Sequence, residues 1–524
     1  MAGQGRDAAG RRQPSRSRSA RWWVAGALAV LVVGSAALDL ASIHSSAGRP
    51  GSADPSTSNG FVGSAPLQTM QGFGASGEGW PADLASFPPA VQQQVAAMLF
   101  RPSGIRLSMY RYDIGAGAGT PGLPGPQSFL VRPGTYDWSA DPGGLAFLRL
   151  AARDGVPNLV GFANSAPGVW KTNGKNCGGG LVPADTAAYA AYLTDVVAHL
   201  READGITLSY VSPMNEPDFG FGSCYQEGMA VPPAQRATLI ADLGGDLARR
   251  APWAHVIADE SSHVRAQLLP ELPAWLGRPG VARYVAAIAY HDYGTPQASV
   301  LQGLAAAGRR YGKPLWMTEI CCVDGHRFGR LYDPTMASGL WLAGRIWSDV
   351  AGAGASSFSW WRALSSSLGC DPAASPTCAG SVNHRGWDDG LLYYDPNFRT
   401  DGNTAITTTK RYWVFGNFSR YVRPGAVRRP AATTVPGVRL LAFSSASQWT
   451  VIVIDDAPAG HAGATLRLRL PTALLRAFVP SAAVRTSATL DLARVALPSL
   501  DAHGRLVLQV PPQSVTTYIF GPQS

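Results

Sequence analysis

Two glutamates in this sequence stand where a carboxylate could act on a substrate. Glu216 lies in "SYVSPMNEPDFG", where a short apolar run typical of a buried strand stops at Asn215, Glu216 and Pro217. Glu319 ends a similar run, "PLWMTEI". A strand that only filled a core would need no polar group at its end, and proline directs the chain out of a strand. Two facing carboxylates can attack an anomeric carbon and protonate the leaving oxygen, so the pair predicts cleavage of a glycosidic bond.

The distance between the two carboxyl groups would decide the stereochemistry of that reaction. Retention requires a separation of roughly 5–5.5 Å, and inversion about 6.5–9.5 Å. Asn215 fits the same chemistry, because an amide beside the acid can hydrogen-bond the sugar 2-hydroxyl as charge develops. The triplet Asn-Glu-Pro alone also fits a simple strand-end turn. The second glutamate and the order of the surrounding elements favour catalysis.

Eight short apolar runs, each followed by loop residues and a longer Ala/Leu-rich stretch, must position these glutamates. The runs lie at 70–77, 104–115, 158–167, 208–217, 255–261, 286–294, 314–320 and 355–363. Intervening segments such as "PADTAAYAAYLTDVVAHLREA" have helical period and few breakers. Eight strand–helix units predict an α/β fold, a (β/α)8 TIM barrel whose active site lies at the C-terminal ends of its strands. Glu216 then ends the fourth strand and Glu319 the seventh.

The chain divides into four predicted parts. After about residue 423, alternating strands and turn residues with no helical stretch predict an antiparallel β-sandwich. The barrel occupies 68–423 and the sandwich 424–524. Residues 44–67 are a flexible Ser/Gly/Pro spacer, and the stretch 60–69 is a candidate for a further sandwich strand. Residues 1–43 are a signal peptide or an N-terminal membrane anchor.

The N-terminus predicts export. A basic segment, "GRRQPSRSRSAR", precedes the uncharged apolar run at 22–38, whose 17 residues lie between a long signal-peptide core and a short membrane span. In either case the catalytic part lies outside the cytoplasm, secreted or tethered through 22–38. Six cysteines, an even number, fit an oxidising compartment.

Composition excludes several other classes. Of the net charge of +9, +5 lies in residues 1–50, which hold seven arginines and two aspartates. No basic stripe interleaved with aromatic residues follows, so we expect no nucleic-acid partner. Neither a Gly-x-Ser-x-Gly elbow nor a P-loop is present, and no CxxC pair or suitably spaced histidines predict zinc. We therefore expect a monomer without cofactor or metal.

Several motifs together resemble one family. They are "GFGASGEGW", "GIRLSMYRYDIG", "SAPGVWKTNGKNCGGGL", "MNEP", "AYHDYG", "WMTEI" and "KRYWVFGNFSRYVRPGA". Over roughly residues 68 to 524 the chain resembles glycoside hydrolase family 30, a family of clan A retaining β-glycosidases that includes glucosylceramidase-like, xylanase-like and β-1,6-glycanase enzymes. The resemblance implies that Glu216 is the acid/base and Glu319 the nucleophile, with Asn215 the residue that precedes the acid/base.

The resemblance also implies substrate-site roles for four further residues. Arg111 would lie against the nucleophile and hold it ionised. His291 and Tyr293 would line the catalytic subsite, and Trp361 would form a sugar platform. Each also has a structural interpretation, since an arginine or histidine at a strand end can form an ion pair and tryptophans often fill cores.

Asn164 bears on the substrate. Glucosylceramidase-like members carry an aromatic residue at the end of the third strand, where this chain has Asn164 in "FANSAPGVW". That pattern is closer to members that act on β-1,6-galactan. The sequence therefore predicts an exported retaining hydrolase of a β-linked glycan, β-1,6-galactan or a related one. The alternatives are a glucosylceramidase- or xylanase-type specificity, or a catalytically silent carbohydrate-binding or cell-surface protein on the same scaffold.

The cysteines and one acidic pair complete the expectations. The six cysteines form three hypothetical disulfides. Cys177 and Cys224 lie on loops of the same barrel face, Cys321 and Cys322 are adjacent after the nucleophile, and Cys370 and Cys378 follow the eighth strand. In "ADESS", Asp259 and Glu260 end the fifth strand, and we expect hydrogen bonds to the next loop rather than substrate contact.

Overall fold

The structure is a computed structural model, and it describes residues 59–117, 125–222, 224, 226–294, 297–324, 327–328 and 331–523. The predicted leader and most of the predicted spacer lie outside these residues. Within the described part, no helix is both long and apolar enough to cross a bilayer.

Eight parallel strands form a closed barrel, as the sequence predicts. They are Gly72–Ser76, Met109–Asp113, Asn158–Phe162, Tyr210–Ser212, His255–Ser261, Val285–His291, Leu315–Glu319 and Ser357–Ser365, called the first to eighth barrel strands below. Each strand pairs with the next, and the barrel closes where Ser357 of the eighth strand pairs with Gly72 of the first. Six strands lie within the predicted runs; the sixth begins one residue earlier and the eighth ends two residues later.

The fourth barrel strand is shorter than its predicted run. It covers only Tyr210–Ser212, because Pro213 follows at once and has no N–H to continue the ladder. Pro213, rather than Pro217, therefore ends the strand. Glu216 lies on the loop that follows, and its orientation depends on loop contacts.

Helices cover the outside of the barrel. In Thr186–Asp204 the buried residues Tyr189, Leu193 and Val196 recur every three or four positions, so one face packs on the strands. The helix ends at Gly205, whose φ of 67° suits a left-handed cap. The other helices are Trp80–Leu84, Pro89–Phe100, Pro142–Arg153, Pro233–Arg250, Leu269–Trp275, Ala298–Tyr311, Met336–Trp347, Phe398–Asp401 and Lys410–Ser419.

Shorter elements connect these parts. Single turns of 3₁₀ helix cover Gly168–Trp170, Pro183–Asp185 and Cys378–Gly380, and π-helical turns cover Val264–Leu268 and Ser348–Ala353. Beyond the eighth strand, Gly390–Tyr394 and Ile406–Thr408 extend the sheet. Two small hairpins pair Leu130–Arg132 with Thr135–Tyr136, and Val323–Asp324 with Arg327–Phe328.

The barrel interior is apolar below the strand ends. Met109, Val160, Ile257, Ala289 and Trp316 form one buried cluster there. Such packing leaves no channel through the barrel. A site within the barrel must therefore lie above this cluster, at the C-terminal ends of the strands.

The C-terminal region contains two facing sheets. One orders Ala431–Thr433, Gly60–Val62, Ala464–Arg469, Leu506–Val510 and Ser499–Leu500. The other orders Val427–Arg429, Val438–Ser444, Trp449–Asp455, Ser514–Pro522, Phe478–Thr486 and Ala493–Arg494. The predicted strand from before the barrel is confirmed, and it pairs in parallel with Ala464–Arg469. The sandwich is thus antiparallel except at this pairing.

Two details of this region differ from the sequence expectation. A short helix, Thr472–Ala477, interrupts a region predicted to lack helices, and Phe478–Thr486 is a long strand that the pattern did not indicate. This strand contains Pro480, and the pairing register shifts between Pro480 and Ala482. Within the alternating segment "ATLDLARVAL" at 488–497, the only strand is Ala493–Arg494.

Candidate active site

The two glutamates face each other at the C-terminal end of the barrel. Glu319 is the last residue of the seventh strand, and Glu216 lies on the loop after the fourth. Three atoms lie within 4.8 Å of one another: a carboxylate oxygen of Glu216, a carboxylate oxygen of Glu319 and a ring nitrogen of His291. Glu216 and Glu319 are buried, with 7% and 3% of their surface exposed. The structure therefore brings together the pair that the sequence indicates.

The backbone fixes the direction of Glu216. Its φ of 43° lies in the left-handed region, as does the φ of 63° at Glu260. Such a conformation costs a non-glycine residue on the order of 1–3 kcal/mol and persists only where the surroundings enforce it. Here the N–H of Glu216 donates to the carbonyl of Glu260 at 3.0 Å, and the N–H groups of Phe219 and Gly220 donate to the carbonyl of Glu216 at 2.9 and 3.2 Å.

His291 lies between three carboxylates. Its Nδ1 is 2.9 Å from Glu216 Oε1 and 3.5 Å from Glu319 Oε1, and its Nε2 is 3.0 Å from Glu260 Oε2. Burial alone would lower the pKa of His291, but these carboxylates outweigh it and raise the pKa to about 10. The ring is therefore protonated at neutral pH and donates both N–H groups.

Glu216, His291 and Glu319 are close enough together to suggest a metal site. A metal ligand, however, needs a free nitrogen lone pair, which a protonated imidazole lacks. Both ring nitrogens already face carboxylates. In this arrangement the two ring nitrogens of His291 are therefore taken up by carboxylates.

Three donors hold Glu319. Arg111 Nη1 is 3.2 Å from its Oε2, the Tyr293 hydroxyl donates to its Oε1 at 2.9 Å, and His291 lies on the same side. Burial raises the pKa of Glu319, and the positive charges of His291 and Arg111 oppose this rise. The contact of Arg111 with the glutamate is the one that the family resemblance implies.

Glu260 is a site residue whose role the sequence analysis missed. It bonds with His291 Nε2 and Thr318 Oγ1, and one of its oxygens lies 3.8 Å from Arg111 Nη2. Burial acts to raise its pKa, but Arg111 and His291 lower the pKa of Glu260 to about 2. Its partners lie on the second, sixth and seventh barrel strands and not on the next loop, so it holds the groups that contact Glu216 and Glu319.

Asp259 has a different role from its neighbour. Its carboxylate accepts a hydrogen bond from Arg236 Nη1 at 2.8 Å, and its other oxygen accepts from the hydroxyl of Ser261 at 2.9 Å. Arg236 belongs to helix Pro233–Arg250. Asp259 thus fastens the fifth strand to the outer helix layer, which is structural, although the partner again differs from the expected loop.

Buried acceptors line the second to fourth strand ends. Asn164 Nδ2 donates to Asp113 Oδ2 at 3.1 Å. Within the described part of the chain, the remaining oxygens Asn164 Oδ1, Asp113 Oδ1 and Asn215 Oδ1 are buried without a donor. An unsatisfied buried acceptor costs about 1–3 kcal/mol. Hydroxyl groups of a ligand are one way to satisfy such acceptors.

An ion pair between an arginine and a glutamate lies near the eighth strand. Trp361 is half-buried, and its backbone N–H donates to the carbonyl of Ile320 at 3.0 Å, directly beside the end of the seventh strand. The guanidinium of Arg362 lies 5.7 Å from the Trp361 ring centroid and bonds the carboxylate of Glu78 at 2.9 and 3.1 Å. Glu78 is not among the predicted site residues, although it is an acid that follows the first strand by two residues.

The loops after the third and fourth strands are joined. Lys171 Nζ donates to Ser165 Oγ at 2.7 Å and to the carbonyl of Gly228 at 2.6 Å, and the N–H of Ala230 donates to the carbonyl of Gly179. Burial lowers the pKa of Lys171 to about 7. A disulfide joins the same two loops. All three predicted pairings are confirmed: Cys177–Cys224, Cys321–Cys322 and Cys370–Cys378.

A (β/α)8 barrel with two facing carboxylates at its strand ends is the architecture of a glycoside hydrolase. Residues 63–269 match the sequence model described as O-glycosyl hydrolase family 30. The match covers the first five barrel strands and Glu216, so this part of the chain is similar to glycoside hydrolase family 30, as the motifs indicate, and the match supports a glycoside hydrolase.

Solved structures share the fold. A conserved exported protein from Bacteroides fragilis superposes with a TM-score of 0.73 at 20% identity, covering 88% of this chain and 99% of that one. The catalytic domain of GH30 xylanase C from Talaromyces cellulolyticus gives 0.67 at 24%, covering 89% and 100%. An endo-β-1,6-glucanase gives 0.64 at 18%, covering 88% and 94%.

Proposed function

We propose that this protein is an exported retaining β-glycosidase that cleaves a β-linked glycan by double displacement. Glu319 is the nucleophile and Glu216 the acid/base. The main support is the approach of their carboxylate oxygens to within 4.8 Å. Inversion needs carboxyl groups about 6.5–9.5 Å apart to admit a water molecule, whereas retention needs roughly 5–5.5 Å.

The reaction proceeds in two steps. Glu319 attacks the anomeric carbon while protonated Glu216 gives its proton to the glycosidic oxygen, so the leaving sugar departs as an alcohol and a glycosyl ester remains. Glu216, now a carboxylate, takes a proton from water, which attacks the anomeric carbon and releases Glu319. Arg111 and Tyr293 hold Glu319 throughout through the hydrogen bonds described above.

The remaining residues bind the sugar. Asn215, with its buried and unpartnered oxygen, faces the 2-hydroxyl, and Trp361 offers a flat surface beside Glu319. Asn164 supports β-1,6-galactan or a related glycan as the substrate, because its free oxygen accepts from a hydroxyl where an aromatic residue would only stack. Three disulfides support an exported protein, secreted or tethered through 22–38.

Reducing-end release tests the proposal. The purified protein is offered β-1,6-galactan, β-1,6-glucan, glucuronoxylan and aryl β-glycosides. We expect release from one glycan, a loss of about 10²-fold or more in Glu319→Gln and Glu216→Gln, and no loss in Glu202→Gln, which changes an exposed glutamate on an outer helix. NMR of the first product should show the β-anomer.

Two outcomes would contradict the proposal. An α-anomer as the first product would make the enzyme inverting. Binding of a glycan without release by the folded wild-type protein would favour the alternative of a silent carbohydrate-binding protein.

A further inference from the structure

Phe219 is an exposed aromatic side chain on the loop that follows Glu216. Among the aromatic residues whose burial the structure describes, only two are exposed, Phe61 at 39% and Phe219 at 44%. Phe61 belongs to a sandwich strand. A single exposed apolar residue is ordinary on a protein surface. The position and support of Phe219 decide its meaning.

The backbone of Phe219 is held in a fixed relation to Glu216. The N–H of Phe219 donates to the carbonyl of Glu216 at 2.9 Å, which closes a tight turn. Between them, Asp218 is anchored by the N–H of Ser262 at 3.0 Å. Phe221 packs edge-on against Phe219, with ring centroids 5.0 Å apart, and is itself buried. The Phe219 ring therefore contacts Phe221 and is otherwise exposed to solvent over part of its surface.

The chemistry places the leaving group on this side. Glu216 protonates the oxygen of the departing sugar, so that sugar must lie against the loop that carries Glu216. The backbone N–H of Trp361 donates to the carbonyl of Ile320, the residue after Glu319, instead. The backbone of one aromatic residue is thus bonded at or next to each glutamate.

We infer that Phe219 is the platform for the leaving-group sugar, a β-linked pyranose unit whose C–H face stacks on the ring. This inference rests on the proposed function. Such a platform makes the protein selective for substrates with a sugar on both sides of the cleaved bond, because a small leaving group cannot cover the Phe219 ring. Burial of the exposed face then stabilises the transition state.

The test compares two substrates that differ only in the leaving group. One is an oligosaccharide of the glycan that the wild-type protein cleaves, and the other is the glycosyl fluoride of the same sugar, whose fluoride cannot reach the ring. We expect Phe219→Ala to lower kcat/KM on the oligosaccharide roughly tenfold or more and to leave the fluoride within about twofold. Phe219→Trp should retain both activities. The control Phe61→Ala removes the other exposed ring and should change neither.

The results separate this inference from the proposed function. Equal losses on both substrates would mean that Phe219 only supports the loop of Glu216, and no loss on either would mean that it touches no sugar. Either of these two results would overturn the inference about Phe219. If Glu319→Gln is inactive in the same experiment, the proposed function is still supported. A wild-type protein inactive on the whole panel and on the fluorides would overturn both.

Discussion

At the scale of single residues, His291 is a buried cation that links the two glutamates. Its pKa of about 10 in the folded protein exceeds the ordinary value of about 6.5. A raised pKa means that the folded protein binds a proton at His291 more tightly than the unfolded chain does. The contribution of His291 to stability is therefore complete below about pH 6.5 and is lost as the pH rises through about 10. We therefore expect the free energy of unfolding to fall above about pH 7, by up to about 1.4 kcal/mol per pH unit from this group.

Urea titrations at pH 7, 8 and 9 measure this slope. His291→Gln removes the titrating ring and should flatten the slope, whereas His384→Gln, on an exposed loop, should keep it. A slope that is equal in wild type and His291→Gln would show that His291 is neutral in the folded protein.

Glu260 should act as a positioning residue. Its carboxylate bonds with His291 and Thr318, and its backbone carbonyl accepts from the N–H of Glu216. Glu260→Gln removes a negative charge that keeps His291 protonated, so the pKa of His291 should fall. We expect kcat to drop roughly tenfold with little change in KM, and the alkaline limb of the pH–rate profile to move to lower pH. A drop in kcat with an unchanged pH profile would instead indicate a general structural role.

At the scale of elements, the disulfides differ in the length of chain that they close. Cys177–Cys224 spans 47 positions and Cys370–Cys378 only eight. A cross-link restricts the unfolded chain more when it closes a longer loop, and the chain-entropy relation gives about 4 and about 2.5 kcal/mol for these two. Replacing both cysteines of the first pair by serine should therefore lower the free energy of unfolding more than the same change in the second.

The activity of the same variants provides a second comparison. The first disulfide joins the loops after the third and fourth strands, and the fourth-strand loop carries Glu216. Its removal should also lower kcat, while removal of Cys370–Cys378 should not. Equal stability losses in urea titrations would contradict the dependence on loop length.

The order of the elements could be predicted, because local patterns determine it. Alternating apolar runs and helical segments are visible in the sequence, and all eight barrel strands lie at or near the predicted runs. The contacts of Glu260 could not be predicted, since they depend on a positive φ and on the neighbouring strands. The strand Phe478–Thr486 was missed for a similar reason: its pairing with Ser514–Pro522, and not its composition, makes it a strand.

The candidate site was predictable to a similar degree. Sequence patterns identified the two glutamates at strand ends, which converge because the strands are parallel. The family resemblance indicated Arg111, His291 and Tyr293, which do contact these glutamates. The position of Glu78 after the first strand is visible in the sequence, but its pairing with Arg362 across the closure of the barrel is not.

At the scale of the whole molecule, the barrel and the sandwich share one core. The buried cluster that surrounds the barrel strands also includes Phe443, Ile452 and Ile519 of the sandwich. Helix Lys410–Ser419 lies between the two parts. We therefore expect the barrel and the sandwich to unfold together, because separating them would expose this shared apolar surface to water.

Asn417 is the polar centre of that interface. It is fully buried; its Nδ2 donates to Thr517 Oγ1 at 3.1 Å, its Oδ1 accepts from Thr486 Oγ1 at 2.6 Å, and its carbonyl accepts from Thr517 at 2.8 Å. Asn417→Ala would leave both threonine hydroxyls with a lost partner, so the free energy of unfolding should fall by about 2–3 kcal/mol. The control Asn397→Ala changes an exposed asparagine whose side chain caps no helix and should cost little. Urea unfolding followed by tryptophan fluorescence and by circular dichroism should shift as one transition. Two separate transitions in the variant would mean that the barrel folds independently of the sandwich, with the shared core contributing less than its burial implies.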